Sequence, residues 1–174
     1  MNRLTENMPE ALIGKNLETL NHYEEVETSD ENINSGIRLF RSEDEFFFLD
    51  EKIEEFRCQV DSDNKIISVK FRIKEIILKM NYRNKFIKIF GKPDASFCIG
   101  EIVKSSETKL PNGATSGSAV IIPKKCDFFD KSVLSTVWKL DNNVFMELTH
   151  PQMRSTFPRA YINISKSSKW IETK

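Results

Sequence analysis

The chain of 174 residues contains two histidines, the side chains that most often act as catalytic bases or metal ligands near neutral pH. His22 lies in a polar stretch and His150 precedes Pro151. Neither has a Cys, His or Asp at the spacing of a metal site, and the chain has no G-x-S-x-G nucleophile elbow. Both histidines are therefore predicted to be surface residues, and we predict no catalytic residue, metal site or cofactor.

The segment from Gly113 to Ser118 comes closest to a phosphate-binding loop. It lacks the lysine that follows such loops, and no helix pattern begins after it. The residues from Ser105 to Gly117 are instead predicted to form a long flexible loop, built on the turn formers Pro111-Asn112-Gly113.

Carboxylates are concentrated in the first third of the chain. Residues 1–63 hold 17 Asp and Glu against 6 Lys and Arg, whereas residues 64–174 hold 9 against 20. Runs of acids usually form a solvated face, but such a face can also steer a basic partner. An equally good interpretation is that the two halves of the chain face and partly neutralise each other. The residues predicted to bind a protein partner are Glu24, Glu25, Glu27, Glu43, Asp44, Glu45, Asp50 and Glu51.

A basic stretch between Lys65 and Lys92 offers an alternative function, that of a nucleic-acid-associated accessory protein. Its cations would attract phosphates, and its aromatic residues resemble those of an RNA-binding surface. However, the patterns place Phe71, Tyr82 and Phe86 in the core, so the rings are not expected to stack on bases. Only nonspecific, weak binding is then predicted, through Lys70, Arg72, Lys74, Lys79, Arg83, Lys85 and Lys88.

The same stretch changes its hydrophobic period from that of a strand to that of a helix. Ile67, Val69, Phe71 and Ile73 alternate with polar residues, as in a strand with one buried face. From about Asn81 the spacing is helical, with a stripe formed by Tyr82, Phe86 and Ile89, and with Gly91 and Pro93 as stop signals.

The predicted fold class is α+β, with short helices packed on one side of an antiparallel sheet. A first helix is predicted from Asn7 to Leu20, with Asn7 as its N-cap. Two hairpins are predicted across Asp61-Ser62-Asp63-Asn64 and Asp141-Asn142-Asn143. A single domain is expected over residues 1–174. Its parts 1–73 and 74–174 look alike, which suggests two similar helix-plus-meander halves.

The hydrophobic content of 39% and charged content of 30% are those of an ordinary globular protein. No apolar run is long enough for a membrane span, and the first residues do not resemble a secretory signal. The odd number of cysteines predicts buried thiols in a reducing compartment, for Cys58, Cys98 and Cys126. If the sequence is complete at its N-terminus, these features predict a cytoplasmic protein without membrane contact.

Four sequence patterns together resemble those of small bacterial helix-plus-antiparallel-meander inhibitor and immunity proteins of the beta-lactamase-inhibitor-like type. They are F-I-K-I-F-G-K-P-D at residues 86–94, W-x-L at 138–140, V-x-M-x-L at 144–148 and Y-x-N-I-S at 161–165. The resemblance implies a protein that works by surface complementarity rather than by catalysis. We therefore expect a cytoplasmic immunity or inhibitor protein that neutralises a basic bacterial toxin or enzyme through the acidic residues.

Overall fold

The computed structural model describes residues 2–3, 9–27, 35–49, 51–73, 82–109, 111, 113, 115–140, 143–150, 160–168 and 170. Its strands are β1 (Asn2–Arg3), β2 (Tyr23–Val26), β3 (Arg38–Ser42), β4 (Phe46–Phe48), β5 (Glu51–Val60), β6 (Ile66–Ile73), β7 (Ala95–Lys109), β8 (Thr115–Lys125), β9 (Val133–Lys139), β10 (Phe145–Thr149) and β11 (Ala160–Ser165). Helix α1 spans Tyr82–Phe90, and two 3-10 turns span Pro9–Leu12 and Leu17–Thr19.

The sheet dominates the fold, so the predicted α+β class is wrong. In the described part of the chain 58% of residues lie in strands, 12% are helical and one α-helix is present. The helix predicted from Asn7 to Leu20 is replaced by the two 3-10 turns; Asn7 itself lies outside the described residues.

The predicted first helix fails because its backbone bonds to the hairpin of β5 and β6. Gly14 N donates to Ile66 O at 2.7 Å, and Leu17 N donates to Asn64 O at 2.9 Å. Gly14 has a φ of 84°, which a helix interior does not allow. Leu17 is nevertheless buried, so its apolar character serves the core from an irregular segment.

The strands form one sheet in the order β2-β3-β5-β6-β11-β10-β9-β7-β8, with antiparallel pairs throughout this path. Strand β4 pairs with the start of β5, and β1 lies parallel to β4. The two predicted hairpins, β5–β6 and β9–β10, are confirmed. Their turns use Asn64 and Asn143 in the left-handed region, with φ of 62° and 56°. Strand β11 lies between the two hairpins, paired with β6 of the first and with β10 of the second.

One face of the sheet is covered by α1 and forms the main core. Phe86 is fully buried, with its ring centre 5.6 Å from that of Trp138 and 6.1 Å from that of Phe48. The helix ends as predicted, at Gly91 with a φ of 76°. Ile89, however, is 47% exposed, and Phe90 packs against the core in its place.

The long loop predicted from Ser105 to Gly117 is also wrong. Strand β7 continues to Lys109 and pairs with β8 from Thr115 onward. Because β9 pairs only with residues 95–98 of β7, the distal part of β7 has β8 as its described neighbour and extends beyond the sheet as a two-stranded arm. Several large aliphatic side chains lie exposed near the base of this arm: Ile99, Ile102, Val103, Val120 and Ile122.

The cysteine prediction is corrected in two of its three residues. Cys98 and Cys126 form a disulfide that joins β7 to the segment after β8. Cys58 is a free, buried thiol as predicted, and its burial raises its pKa to about 12. The odd number of cysteines suggested free thiols, but it arises because Cys58 stays unpaired in the core while the other two form a bond.

Candidate functional site

The pairing of β2 with β3 brings two acidic segments together. Tyr23 lies opposite Ser42, so the turn of residues 43–45 adjoins the first residues of β2. We call the resulting surface the acidic edge; it consists of Glu24, Glu25, Glu27, Glu43, Asp44 and Glu45. Of the other predicted partner-binding residues, Asp50 lies outside the described residues, and for Glu51 the structure describes the backbone at the start of β5.

Within the acidic edge, Asp44 has a structural role. Its Oδ1 lies 2.9 Å from His22 Nδ1, and its Oδ2 accepts hydrogen bonds from the backbone N of Asn21 at 2.9 Å and of His22 at 3.4 Å. Partial burial alone would raise the pKa of Asp44, but these hydrogen bonds outweigh it and lower the pKa below its usual value. The carboxylate therefore fixes the segment before β2 to the turn after β3.

Two other acids of the edge pair with cations. Glu24 lies 3.8 Å from Arg41, and Glu45 pairs with Lys52, which lowers the pKa of Glu45. Glu25, Glu27 and Glu43 are exposed, and in the described part of the chain the structure shows no side-chain hydrogen bond or ion pair for them. These three glutamates are the charges best placed to meet a partner.

The basic stretch does not form one surface. Lys70 and Arg72 lie on the face of the sheet opposite α1, whereas Arg83, Lys85 and Lys88 belong to α1 itself. Lys74 and Lys79 lie outside the described residues.

Two of the helix cations also bind within the protein. Arg83 Nη1 donates to the carbonyls of Phe128 at 2.9 Å and Asp130 at 3.0 Å, and Lys85 Nζ donates to the carbonyl of Leu49 at 2.6 Å. This division of the cations between two faces disfavours a continuous track for nucleic acid.

His150 is buried, not on the surface as predicted. It is 2% exposed, and its Nδ1 shares a hydrogen bond of 2.8 Å with Tyr82 Oη. Its Nε2 lies 2.9 Å from Thr136 Oγ1, which in turn lies 3.0 Å from Ser96 Oγ. Burial first, and then the charge of Arg83, lower the pKa of His150 to about 3. The neutral imidazole thus links α1 to β9 and to the end of β10. His22, in contrast, is exposed as predicted.

The face of the sheet opposite α1, which we call the open face, carries a site that sequence patterns did not reveal. A groove of about 560 Å³ lies there between β6, β10 and β11, and its lining includes Ser68, Lys70, Tyr161, Asn163 and Ser165. A neighbouring pocket of about 240 Å³ shares Lys70 and Tyr161, and adds Glu55, Arg57 and Arg72. The alternation of polar and apolar residues in β6 predicted that Lys70 and Arg72 share this face. The residues that β5 and β11 add to the lining could not be predicted, because they depend on how these strands pair with β6.

The described residues contain no group of three or more His, Cys, Asp or Glu placed to hold a metal ion. No helix among them has the length and apolar character that crossing a membrane would need.

Comparison of the chain with known protein families, curated proteins and solved structures found no match. The resemblance to inhibitor and immunity proteins therefore stays a prediction.

Proposed function

We propose that this protein is a non-catalytic binding protein that recognises a basic protein partner through its acidic edge. One observation carries the proposal. Two acidic segments that are distant in sequence meet where β2 pairs with β3, and Glu25, Glu27 and Glu43 remain exposed there. Clustered charge of one sign accelerates encounter with a partner of opposite charge and suppresses wrong partners.

The architecture of the edge also suits a binding role. In the described part of the chain, β3 is the strand that pairs with β2, which leaves the other side of β2 with free backbone donors and acceptors. A partner strand could add to this side while its cations meet the glutamates. Asp44 and its hydrogen bonds to His22 and Asn21 hold the edge in place before a partner arrives, which reduces the entropy lost on binding.

At its most specific, we propose an immunity or inhibitor protein that neutralises a bacterial toxin. Such a protein needs a complementary charged surface and no catalytic groups of its own. The disulfide changes the cellular compartment that we propose for the protein. Bonds such as Cys98–Cys126 persist in oxidising compartments and are rare in the cytosol, so the disulfide favours action in an oxidising compartment over the cytoplasmic location expected from the cysteine count.

A pull-down from the native lysate at low and high salt, with mass spectrometry of the eluate, identifies the partner. The double variant Glu25→Gln/Glu43→Gln then tests the edge. A matched control, Glu101→Gln/Glu107→Gln, removes two exposed charges from β7 instead. We expect one stoichiometric basic protein, with affinity that falls with salt and falls roughly three- to tenfold in the edge variant but not in the control.

The inhibitor role has its own readout. Export of the captured protein to the bacterial periplasm, an oxidising compartment, should arrest growth, and coexpression of the wild-type chain in the same compartment should restore it. Binding that is insensitive to salt, or that weakens equally in both double variants, would show that the acidic edge is not the binding surface. A bound partner that arrests nothing would refute the toxin while leaving the binding role intact.

A further inference from the structure

Three cations on the open face lie directly opposite one another on neighbouring strands. Arg41 of β3 pairs in register with Arg57 of β5, and Arg57 pairs with Lys70 of β6. Like charges at directly opposed positions destabilise a sheet, because their side chains lie close together on one face. Such a row raises the local positive potential on the open face and attracts anions.

Among the described residues, the two ends of this row have partners. Arg41 has Glu24 at 3.8 Å, and the Nζ of Lys70 lies 5.1 Å from the centre of the Tyr161 ring, a cation–π contact. In the described part of the chain no ion pair is shown for Arg57, which lies between them and is exposed. The middle of the row therefore holds positive charge that the fold leaves open.

The pocket beside the row concentrates this charge. It is lined by Arg57, Lys70 and Arg72 together with one carboxylate, that of Glu55. Arg72 already uses this carboxylate: its Nη1 donates to Glu55 Oε1 at 3.2 Å, and its Nη2 pairs with Glu54. Arg72 is thus held rigidly by two acids, whereas Arg57 and Lys70 remain available for an anion.

The adjoining groove indicates what the rest of the ligand is like. The groove opens from the same Lys70 and Tyr161, and its volume of about 560 Å³ is in the range of small-molecule sites. Its lining is mixed: Ser68, Asn163 and Ser165 supply hydroxyl and amide groups, Lys166 supplies a cation, Glu147 a carboxylate, and Ile37 and Ile67 apolar contacts. Such a lining accommodates a hydroxyl-bearing body that also has apolar faces.

We propose that the open face binds a phosphorylated polar small molecule, with the phosphate between Arg57 and Lys70 and the body of the ligand in the groove. A guanidinium and an ammonium group on neighbouring strands supply the donors that a phosphate dianion requires. Glu25 and Glu43 take no part in this site; the acidic edge meets the row through the pair of Glu24 with Arg41, at the end of the row away from Lys70.

Binding is tested on the full chain by calorimetry and thermal unfolding, with inorganic phosphate, glucose 6-phosphate and glucose as probes. Glucose 6-phosphate should bind and raise the Tm, inorganic phosphate should bind more weakly, and glucose should do neither. The variant Arg57→Gln/Lys70→Gln should weaken glucose 6-phosphate binding at least tenfold. The control Lys88→Gln/Lys104→Gln, which removes exposed cations from α1 and β7, should bind like the wild type.

A second readout separates binding from a structural role. Without ligand, Arg57→Gln should unfold at the same or a higher temperature than the wild type, because the opposed like charges are relieved. The proposal is overturned if no phosphorylated probe shifts the Tm, if sodium chloride at equal ionic strength gives the same shift, or if Arg57→Gln/Lys70→Gln binds as tightly as the control. Tighter binding of a single-stranded oligonucleotide than of glucose 6-phosphate, lost in the same variant, would also overturn it, since a polymer would then be the ligand.

Discussion

Asp44 Oδ1 lies 2.9 Å from His22 Nδ1, so a carboxylate in the turn after β3 holds the residue that precedes β2. The other oxygen of Asp44 accepts two backbone hydrogen bonds from the same segment. The acidic edge therefore depends on one of its own acids for its shape. This relationship distinguishes the acids that build the edge from those that are exposed on it.

Replacement of Asp44 by Asn should lower the free energy of unfolding at pH 7 by about 1–2 kcal/mol, because a charged acceptor of several hydrogen bonds is lost. The native pKa of Asp44 is depressed, so its stabilisation is present above the ordinary value of 3.8 and fades as the pH falls through the lower native value. Urea unfolding at pH 7 and pH 3 measures the free energy of unfolding of the wild type and of the Asp44→Asn variant. Glu43→Gln, at the exposed neighbouring position, should change stability by less than about 0.5 kcal/mol. Equal effects of both substitutions would contradict the structural role of Asp44.

The buried His150 predicts a loss of stability in mild acid. Its pKa is about 3 in the folded protein against 6.5 in the unfolded chain, so between these values the unfolded state binds the extra proton. Stability is complete above pH 6.5 and falls as the pH decreases, by about 1.4 kcal/mol for each unit. We expect the wild type to be roughly 2–3 kcal/mol less stable at pH 4.5 than at pH 7 through this residue. In His150→Gln, which keeps a donor and an acceptor but does not titrate, this contribution should disappear. An unchanged pH dependence in the variant would show that other groups cause it.

Thiol counting tests the disulfide directly. The native protein should expose no reactive thiol, since Cys58 is buried with a raised pKa. In denaturant without reductant one thiol per chain should react, and after reduction all three cysteines should react. Three reactive thiols before reduction would mean that Cys98 and Cys126 are not bonded.

The disulfide should also contribute to stability. The bond spans 28 residues, and closing a loop of this length in the unfolded chain corresponds to about 3.5 kcal/mol. Cys98→Ala/Cys126→Ala should therefore unfold at a lower urea concentration than the wild type, and a reducing agent should destabilise the wild type but not this variant. Resistance of the wild type to reductant under unfolding conditions would oppose the assignment.

The base of the arm contains a glycine with no room for a side chain. A Cβ at Gly100 would lie 2.2 Å from the carbonyl oxygen of Ile122 on β8. Gly100→Ala should therefore separate the strands locally and destabilise the protein by about 1–3 kcal/mol. Gly117→Ala serves as the control, because its Cβ would lie 3.5 Å from Ser106 O, an ordinary contact. Unfolding curves and amide exchange along β8 compare the two. If both variants exchange alike, the close approach at Gly100 does not hold in solution.

Local turn chemistry was the most reliable guide from sequence to fold. The turn formers predicted hairpins at Asn64 and Asn143, which the structure places in the left-handed region, and Gly91 ends α1 where expected. In each case the determinant lies within a few residues, so strands β5, β6, β9 and β10 could be placed correctly.

The errors arose where distant residues decide the structure. The segment around Gly14 bonds to Ile66 instead of to itself, which no helical pattern can reveal. The arm lacked an alternating pattern because its distal β7 residues are exposed on both faces, although the pair Asn112-Gly113 is itself a hairpin signal.

In the candidate sites, too, local sequence signals were informative and long-range strand pairing could not be predicted. Runs of acids identified the acidic edge, but only the pairing of β2 with β3 separates the exposed Glu25 and Glu43 from the structural Asp44. The row of Arg41, Arg57 and Lys70 could not be predicted, because it depends on the register of three strands and on which side chains share a face.

The pairing of β6 with β11 has a consequence for biosynthesis. Strand β6 is synthesised well before its neighbour β11, which closes the centre of the sheet from the far end of the chain. Until β11 leaves the ribosome, β6 presents an unpaired side and the apolar residues Val69, Phe71 and Ile73, a template for wrong pairing. Contacts of such long range also slow folding. The nascent chain therefore completes its central sheet only late, and during that interval β6 is open to pairing with the wrong strand.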